Sequence, residues 1–456
     1  MNEKESSMDL LIIGGTIVSM GVKGVITNGA VAIQGDTIID VGEERDLKRK
    51  YAGYEKIDAA GRVVMPGLIN THQHAAMSLL RGYADDYPLR EWLENWIWPI
   101  ERHMTGYDIY VGALLTAVES IMTGTTTINT MYFYRGEYNE ARAFAEAKVR
   151  GVVGHGCLSW HRDSDRRDLE ELTRMWHGKM GGTIRISVDP HAPYTVSPEY
   201  LQEIRSWTAE LNEKYGSAEN PIIWHMHIAE TIDEPKKVEE AFGIRIKDGV
   251  VDYLDSLGVL GPDVVAAHCV HLTDKDIEVL RRRGVKVSHN PVSNLKLASG
   301  VCPVTKLIKS NVTVSLGTDS PSSNNVADMF ETVKLAAILH KGINADPTIL
   351  PAETVLRMAT IEGAKTLCWE DQIGSLEPGK RADLIIIDFK KPHLCPVYNI
   401  ASHLVYAVRG ADVETTIING EIVMENREVK SVDVVEVMEK ARKAKENLLD
   451  QLESNR

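Results

Sequence analysis

The segment Pro66-Gly67-Leu68-Ile69-Asn70-Thr71-His72-Gln73-His74 carries the strongest structural signal in this chain. A proline-glycine turn precedes a short run that starts apolar and ends polar, which is typical of a β-strand. Because side chains alternate between the two faces of a strand, His72 and His74 point the same way. Two imidazoles therefore lie side by side at the carboxyl end of a strand. By itself the pair is compatible with a metal site and with two ordinary histidines.

The composition is that of a globular protein. The chain has 456 residues, of which 43% are hydrophobic and 25% charged. This length suggests two or three domains, although barrels of eight units can exceed roughly 250 residues. The formal net charge of −14 at pH 7 argues against a nucleic-acid partner, because phosphate binding needs basic surfaces. The basic runs at 48–50 and 281–283 are interpreted as solvated helix faces.

Cysteine usage and hydropathy predict a cytoplasmic protein with no membrane partner. The five cysteines include no CxxC pair, which favours a reducing compartment and excludes a cysteine zinc site. No stretch approaches the roughly 18 uninterrupted apolar residues of a membrane span. Residues 1–5 lack the basic-then-apolar layout of a signal peptide.

The two ends of the chain predict one small β-structure. Both contain short β-branched runs separated by glycine turns, which is typical of hairpins. Asn419-Gly420 is a strong signal for a two-residue hairpin turn. We infer a β-sandwich assembled from both ends, with a central domain inserted between them. The predicted parts are residues 1–64 and 374–433 for the sandwich, 65–373 for the central domain and 434–456 for a terminal helix.

The central domain contains eight strand candidates, each followed by a helical stretch. This alternation predicts an α/β fold of the TIM type, a (β/α)8 barrel. A doubly wound open sheet is the alternative, but no GxGxxG or P-loop sequence supports a nucleotide-binding version of it. The predicted strands are residues 68–74, 125–131, 151–158, 184–189, 222–228, 264–268, 285–290 and 312–319.

Metal-competent side chains recur at the carboxyl ends of these strands, where a barrel places its active site. Three imidazoles and one carboxylate around a divalent ion leave a position for water, whose pKa the ion lowers toward neutrality. Zinc is the default ion, and iron or manganese would accept the same ligands. The strand-end residues are His72, His74, His191, His225, His227, Glu230, His268, His289 and Asp319.

Proton transfer needs further groups beside such a water, and Asp319 and Glu230 suit this role. His268 could orient the water. His225 stays open between a ligand and a deeper, hydrogen-bonded barrel histidine. His271 and His289 stay open between supporting and substrate-contacting positions, as does Trp92 between helix packing and a stacking wall for a planar ligand. The sequence supplies all seven of these side chains.

Four longer motifs, taken together in their order along the chain, resemble those of the amidohydrolase superfamily. The resemblance covers nearly the whole chain, and the most similar branch is that of the 5′-methylthioadenosine/S-adenosylhomocysteine deaminases. Triazine hydrolases and guanine deaminases share the scaffold, so the substrate is specified less tightly than the superfamily. The motifs are residues 66–74, Ala267-His268-Cys269-Val270-His271, residues 288–296 and Gly317-Thr318-Asp319-Ser320.

The resemblance implies a hydrolytic deaminase that converts an adenine nucleoside to its inosine product and ammonia. It implies a single divalent ion held by His72, His74, His227 and Asp319, with His225 as a non-ligand. No lysine ends the fourth strand, so the carbamylated bridge of two-metal relatives is not expected.

The resemblance also assigns roles around the metal. Glu230 would transfer protons to the purine ring, and His268 would orient the water. We expect a small-molecule nucleoside as the substrate of a homo-oligomeric enzyme. The implied substrate contacts are Trp92, Glu101, His155, Arg167, His191 and Glu230.

One departure from the family concerns the 5′ end of the substrate. Where these deaminases usually have arginine after the third strand, this chain has His155, and a second arginine position is loosely matched by Arg167. A neutral histidine binds a carboxylate less strongly than arginine does. We therefore expect nucleosides with small uncharged 5′ groups to be better substrates than S-adenosylhomocysteine, unless Arg167 or Lys296 holds its carboxylate.

Two other functions remain as alternatives. A triazine or other heteroaromatic amino- or chlorohydrolase, or a guanine deaminase, would use the same scaffold. A catalytically silent binding protein is disfavoured because the metal ligands and Glu230 are all present.

Overall fold

The computed structural model describes residues 9–454, and the central part of the chain forms a barrel of eight parallel strands. This confirms the predicted (β/α)8 fold. Two predictions fall wholly or partly outside the described residues. They are the signal-peptide prediction, which concerns residues 1–5, and the terminal helix at its last two positions. No helix within residues 9–454 is long and apolar enough to cross a membrane.

The strands are β1 Leu10–Val18, β2 Val25–Gln34, β3 Thr37–Glu43, β4 Glu55–Asp58, β5 Arg62–Pro66, β6 Leu68–Gln73, β7 Thr125–Tyr132, β8 Arg150–Cys157, β9 Ile184–Pro190, β10 Ile223–Ile228, β11 Val264–His268, β12 Lys286–His289, β13 Val314–Leu316, β14 Leu384–Asp388, β15 Val413–Ile418, β16 Glu421–Glu425 and β17 Glu428–Val429. Each of the eight predicted barrel strands has its counterpart among β6 to β13, with ends that differ by a few residues. The predicted order of the barrel strands is therefore confirmed.

The helices lie mainly between the strands. They are α1 Glu44–Lys50, α2 Leu89–Glu91, α3 Trp98–Glu101, α4 Gly106–Met122, α5 Glu140–Ala147, α6 Arg162–Trp176, α7 Pro198–Tyr215, α8 Glu234–Phe242, α9 Val250–Ser256, α10 Asp274–Arg283, α11 Pro291–Lys296, α12 Val304–Lys309, α13 Met329–Asn344, α14 Ala352–Met358, α15 Ile361–Thr366, α16 Ile400–Tyr406 and α17 Val434–Ser454. The terminal helix α17 packs against α4.

The two ends of the chain form one mixed sheet of nine strands. Hydrogen bonds connect them in the order β17, β16, β15, β14, β5, β1, β2 and β3, with β4 beside β1. The antiparallel pairing of β5 with β14 joins the N-terminal part to the C-terminal part. An apolar cluster that includes Ile12, Val31 and Ile386 is buried in this sheet. The exact boundaries between the parts stay a prediction.

Side chains help to close the barrel between its first and last strands. Asn70 Nδ2 donates to Thr318 Oγ1 at 2.7 Å, across 248 positions of sequence. The backbone N–H of Asp319 donates to the carbonyl of His72 at 2.9 Å. This closure places Asp319, which follows β13, directly beside the histidines of β6.

The opposite end of the barrel is fixed to the end sheet. Arg150, the first residue of β8, forms a buried ion pair with Asp383, Nε to Oδ2 2.6 Å. The ring of Trp369 lies 5.3 Å from the guanidinium carbon of Arg150. The amino ends of the strands are therefore anchored, and the carboxyl ends carry the loops that form the site.

A segment between β6 and α4 covers the carboxyl end of the barrel. It contains α2, a π-helical turn at Trp92–Ile97, and α3. The indole N–H of Trp92 donates to the carbonyl of Ala84 at 2.9 Å, and Tyr87 stacks on Trp96 with centroids 5.1 Å apart. Single π-helical turns are rare and are often found at functional sites.

Candidate active site

Four side chains from three regions of the barrel converge at its carboxyl end. His72 and His74 come from the end of β6, His227 from β10, and Asp319 from the turn after β13. His74 Nε2 lies 3.2 Å from His227 Nε2, and Asp319 Oδ1 lies 3.2 Å from His72 Nε2 and 3.4 Å from His74 Nε2. A buried carboxylate among convergent imidazole nitrogens is the donor set of a divalent transition-metal ion.

Hydrogen bonds on the far side of the rings prepare them for a metal. His74 Nδ1 donates to the carbonyl of Met131 at 2.8 Å, and His227 Nδ1 donates to the carbonyl of His191 at 2.7 Å. A proton on Nδ1 leaves the lone pair of Nε2 free to bind a metal. The buried Nε2 atom of His72 faces Asp319 Oδ1 at 3.2 Å without a well-directed hydrogen bond. The residues present therefore fit a divalent ion.

His225 lies behind His72 rather than among the convergent nitrogens. Its Nε2 shares a hydrogen bond with His72 Nδ1 at 2.7 Å, and its Nδ1 lies 3.8 Å from Asp189 Oδ2. All three side chains are buried. A Cβ at Gly154 would fall 1.5 Å from Asp189 Oδ2, so only glycine leaves room for this carboxylate. Asp189 and His225 therefore support the ring of His72 from inside the barrel.

Glu230 and His268 lie beside the four convergent side chains of His72, His74, His227 and Asp319, called here the convergent group. Glu230 follows β10 and is buried, with its Oε2 3.9 Å from His268 Nε2. His268 Nδ1 donates to Asn294 Oδ1 at 2.8 Å. Burial and the nearby Asp319 carboxylate raise the pKa of Glu230 above its ordinary value. Burial lowers the pKa of His268, but Glu230 and Asp319 outweigh burial and raise it. Both side chains therefore retain a proton to higher pH than exposed residues of their types.

A cavity, called here the central cavity, opens above the convergent group. Apolar and aromatic side chains make up most of its wall. Four predicted substrate contacts line it: Trp92, Glu101, His191 and Glu230. Among the described residues, no lysine or arginine lines this cavity. The central cavity therefore suits an uncharged, planar ligand with few polar groups. Further lining residues, which the sequence did not single out, are Tyr132, Phe133, Leu158, Tyr194 and Leu297.

Glu101 and His191 supply polar groups in the apolar wall. Glu101 accepts a hydrogen bond from the hydroxyl of Tyr132 at 2.7 Å, and burial raises the pKa of Glu101 to about 7. His191 Nδ1 is hydrogen bonded to Thr195 Oγ1 at 3.0 Å, and burial lowers the pKa of His191 to about 3. His191 is therefore neutral at physiological pH, and each residue can exchange hydrogen bonds with a ligand hydroxyl.

The structure does not bring His155 or Arg167 to the central cavity. The buried ring of His155 accepts the backbone N–H of Tyr134 at 3.1 Å, and its Nε2 lies 3.2 Å from Asp165 Oδ1. Because side chains alternate along β8, His155 faces outward to α6 while Gly154 and Gly156 face the barrel interior. The side chain of Arg167 is 73% exposed and pairs with Asp168. Neither residue lines the central cavity, and their contact with substrate stays a prediction.

Three further residues discussed from the sequence also point elsewhere. His271 Nε2 donates to the carbonyl of Ser299 at 2.6 Å, and His289 is buried against His340, Nε2 to Nε2 3.2 Å. Lys296 bonds Asp85 and Asn325. None of the three lines the central cavity.

A second space of about 300 Å³, called here the outer opening, adjoins the central cavity. The two share Leu93, Trp98 and Tyr194 as common walls. The outer opening adds the side chains of two basic and two acidic residues, and of one further tryptophan. They are Arg90, Lys237, Glu94, Glu240 and Trp160. None of these five residues was predicted as a site residue from the sequence. The signal that could have indicated them is the position of Lys237, in the helix that directly follows β10 and Glu230.

Comparisons with known proteins agree with this geometry. The chain matches the amidohydrolase family over residues 63–423, and it belongs to that family. It is 45% identical to the 5′-deoxyadenosine deaminase of Methanosarcina mazei, over 98% of this chain and 100% of that protein. It is 43% identical to the 5-methylthioadenosine/S-adenosylhomocysteine deaminase of Caldanaerobacter subterraneus subsp. tengcongensis, over 97% of this chain and 99% of that protein.

A solved structure is also similar along its whole length. The crystal structure of an adenosine deaminase from Xanthomonas campestris with bound zinc superposes with a TM-score of 0.89 at 33% identity. The match covers 97% of this chain and 99% of that one.

Proposed function

We propose that this protein is a metal-dependent hydrolytic deaminase of adenine nucleosides. The observation that carries the proposal is the buried carboxyl group of Glu230 at the junction of the convergent histidines and the apolar central cavity. The deaminase names of the two relatives support the reaction, and they also support an adenine nucleoside as substrate.

We propose that one zinc ion is held by His72, His74, His227 and Asp319. The ligand set is supported by the buried Nε2 of His72, which faces Asp319 Oδ1, and by the carbonyl-bound Nδ1 atoms of the other two histidines. Such an ion, when bound, acts as a Lewis acid and lowers the pKa of a water molecule. Iron or manganese would accept the same ligands.

The remaining residues handle protons and orientation. Glu230 donates its proton to a ring nitrogen of the purine, so that C6 can accept the oxygen of water. His268 and Asp319 orient this water and take its two protons: one passes to the amino group as the bond from C6 to that nitrogen breaks, and the other restores the proton that Glu230 gave to the ring. Ammonia leaves, and the product carries a 6-oxo group. One water is consumed for each ammonia released.

The walls of the central cavity orient the nucleoside. Trp92, fixed by its bond to the carbonyl of Ala84, offers a face for the purine. Glu101 and His191 are the groups that exchange hydrogen bonds with the ribose hydroxyls. A triazine or a free purine base has no ribose, so it would leave these buried polar groups without partners, which costs affinity. This favours a nucleoside over the alternative substrates.

The 5′ group of the nucleoside meets two environments. The absence of a cation among the described residues that line the central cavity favours uncharged groups there, as in 5′-deoxyadenosine or 5′-methylthioadenosine. A longer substituent with an amino-acid end, as in S-adenosylhomocysteine, would reach the outer opening. There Lys237 can pair with its carboxylate, and Glu240 with its ammonium.

Ammonia release across a panel of compounds tests the proposal. Adenosine, 5′-deoxyadenosine, 5′-methylthioadenosine and S-adenosylhomocysteine should be deaminated by the zinc-loaded protein. Turnover of guanine or a chlorotriazine alone would contradict the assignment. A homo-oligomer is also expected, and light scattering on the purified protein would show its mass.

A further inference from the structure

We propose that Glu234 is a positioning residue that holds Glu230 in its working orientation through the backbone. The proposal rests on the role given above to Glu230. Glu234 is the first residue of α8, and its side chain is fully buried. Its Oε1 accepts the backbone N–H of Ala229 at 2.9 Å, and its Oε2 accepts the backbone N–H of Glu230 at 2.9 Å.

The backbone at this turn needs such support. Ala229 has φ +53°, in the left-handed region that residues other than glycine rarely adopt. A conformation of this kind persists only where the surrounding structure holds it. The carbonyl of Ala229 accepts the N–H groups of Val270 and His271, both at 2.9 Å. The residue is thus held on its carbonyl side by the chain after β11 and on its amide side by Glu234.

The two hydrogen bonds from the backbone of Ala229 and Glu230 to Glu234, called here the Glu234 clamp, require a carboxylate. Two adjacent N–H donors need two acceptor atoms, and ionised glutamate presents one oxygen to each. Glutamine has the same shape but offers one acceptor and one donor group, so one backbone N–H would face an NH2 group. Burial and the nearby Glu230 carboxyl group raise the pKa of Glu234 to about 7, against the opposing effects of the two backbone N–H groups and Lys237, so the carboxylate is fully formed only above that pH.

The function of the clamp is to fix the direction of the Glu230 side chain. The left-handed turn lets the chain leave β10 while the carboxyl group of Glu230 lines the central cavity beside His268. Displacement of a catalytic group by about 1 Å can cost on the order of 100-fold in rate. Glu234 does not itself line the central cavity and bonds the backbone of Ala229 and Glu230, so it acts through Glu230.

The first test compares Glu234→Gln with Glu239→Gln. Both changes replace a carboxyl group of α8 by an amide, but Glu239 is exposed, and it is Glu234 that accepts the backbone N–H groups of Ala229 and Glu230. We expect Glu234→Gln to lower kcat for 5′-methylthioadenosine about 10- to 100-fold. Its KM should stay within about threefold, and its zinc content should equal that of wild type, because neither cavity nor ligands change. Glu239→Gln should behave as wild type.

The second test is a double-mutant cycle with Glu230→Gln. If Glu234 acts only through Glu230, adding Glu234→Gln to the Glu230→Gln protein should lower kcat less than about twofold. If the double variant loses kcat by the product of the two single-variant factors, the proposal is overturned, whereas the role of Glu230 still stands. If Glu230→Gln alone keeps its kcat, the role of Glu230 is wrong and this proposal fails with it.

A third variant serves if Glu234→Gln does not fold. Glu234→Asp keeps the charge but is one methylene shorter, so it can reach one of the two amides. Zinc-loaded Glu234→Asp should have a kcat between those of wild type and Glu230→Gln, with KM unchanged. A wild-type kcat in this variant would overturn the proposal.

Discussion

Replacement of Lys237 by methionine should lower activity selectively toward nucleosides with a charged 5′ end. Lys237 lines the outer opening, and its side chain is 12% exposed. Its Nζ donates to Thr231 Oγ1 at 3.1 Å and lies 5.2 Å from the ring centre of Tyr194, a wall shared by both spaces. Methionine keeps the length and apolar packing of the side chain and removes only the ammonium.

The size of the effect follows from the present partners of Lys237. A hydrogen bond to a charged group is worth about 1.5–3 kcal/mol. Lys237 already pairs with the half-exposed Asp233, Nζ to Oδ1 3.2 Å. Because a substrate carboxylate would compete with this ion pair, the net gain on binding is smaller. We therefore expect about 1–1.8 kcal/mol, or roughly a 5- to 20-fold loss in kcat/KM for S-adenosylhomocysteine. The value for 5′-methylthioadenosine should change less than about twofold.

The assay is ammonia release with both substrates, and Lys247→Met is the control. Lys247 carries the same charge, is exposed, and lies outside the outer opening. It should retain the wild-type ratio of the two substrates. Equal losses for both substrates in Lys237→Met, or an unchanged value for S-adenosylhomocysteine, would refute the reasoning.

Other predictions address the metal content, the proton donor Glu230, His155 in the third barrel strand, and the pH dependence of stability. The purified protein should hold about one divalent ion per chain and lose it in His227→Ala; metal analysis that gives two ions would contradict the proposed site. Glu230→Gln should keep the metal but lower kcat about 100- to 10,000-fold, because an amide cannot transfer protons; a loss below tenfold would show that Glu230 has another role. His155→Arg should not improve S-adenosylhomocysteine as a substrate, because position 155 faces α6, and a raised kcat/KM would restore the sequence-based expectation. Burial raises the pKa of Glu101 from 4.5 to about 7, against the opposing effects of Tyr132 and Arg135, so its contribution to stability is full below pH 4.5 and is lost as pH rises through 7. Glu101→Gln should therefore raise Tm at pH 8 but not at pH 4.5, and an equal shift at both values would contradict the assignment.

The order of the barrel strands could be read from the sequence because their signals are local. Parallel strands covered on both faces form short apolar runs between polar turns, and residues 264–268 were placed with the observed bounds of β11. The HxH pair at the end of β6 was also readable, since alternation along a strand and the location of barrel active sites are general rules. The fold class and the strand-end positions of the candidate metal-binding residues follow from these local patterns, whereas the choice of His227 over His225 was implied by the family resemblance.

Alternation gives the face of a side chain but not its depth in the barrel. His225 and His227 share a face of β10, and only the assembled barrel shows that His225 lies behind His72. The same rule, applied to a strand whose register was unknown, left the direction of His155 undetermined.

The outer opening and the Glu234 clamp depend on contacts between distant segments. Lys237 meets Tyr194 only when the loops after two neighbouring strands are packed together. The turn at Ala229 depends on bonds from α8 and from the chain after β11, and no local propensity predicts a left-handed alanine. Sequence patterns report the preference of each segment for its own conformation and its buried face. Tertiary packing decides which buried donors, acceptors and charges meet, because those partners come from segments whose separation in the chain carries no local signal.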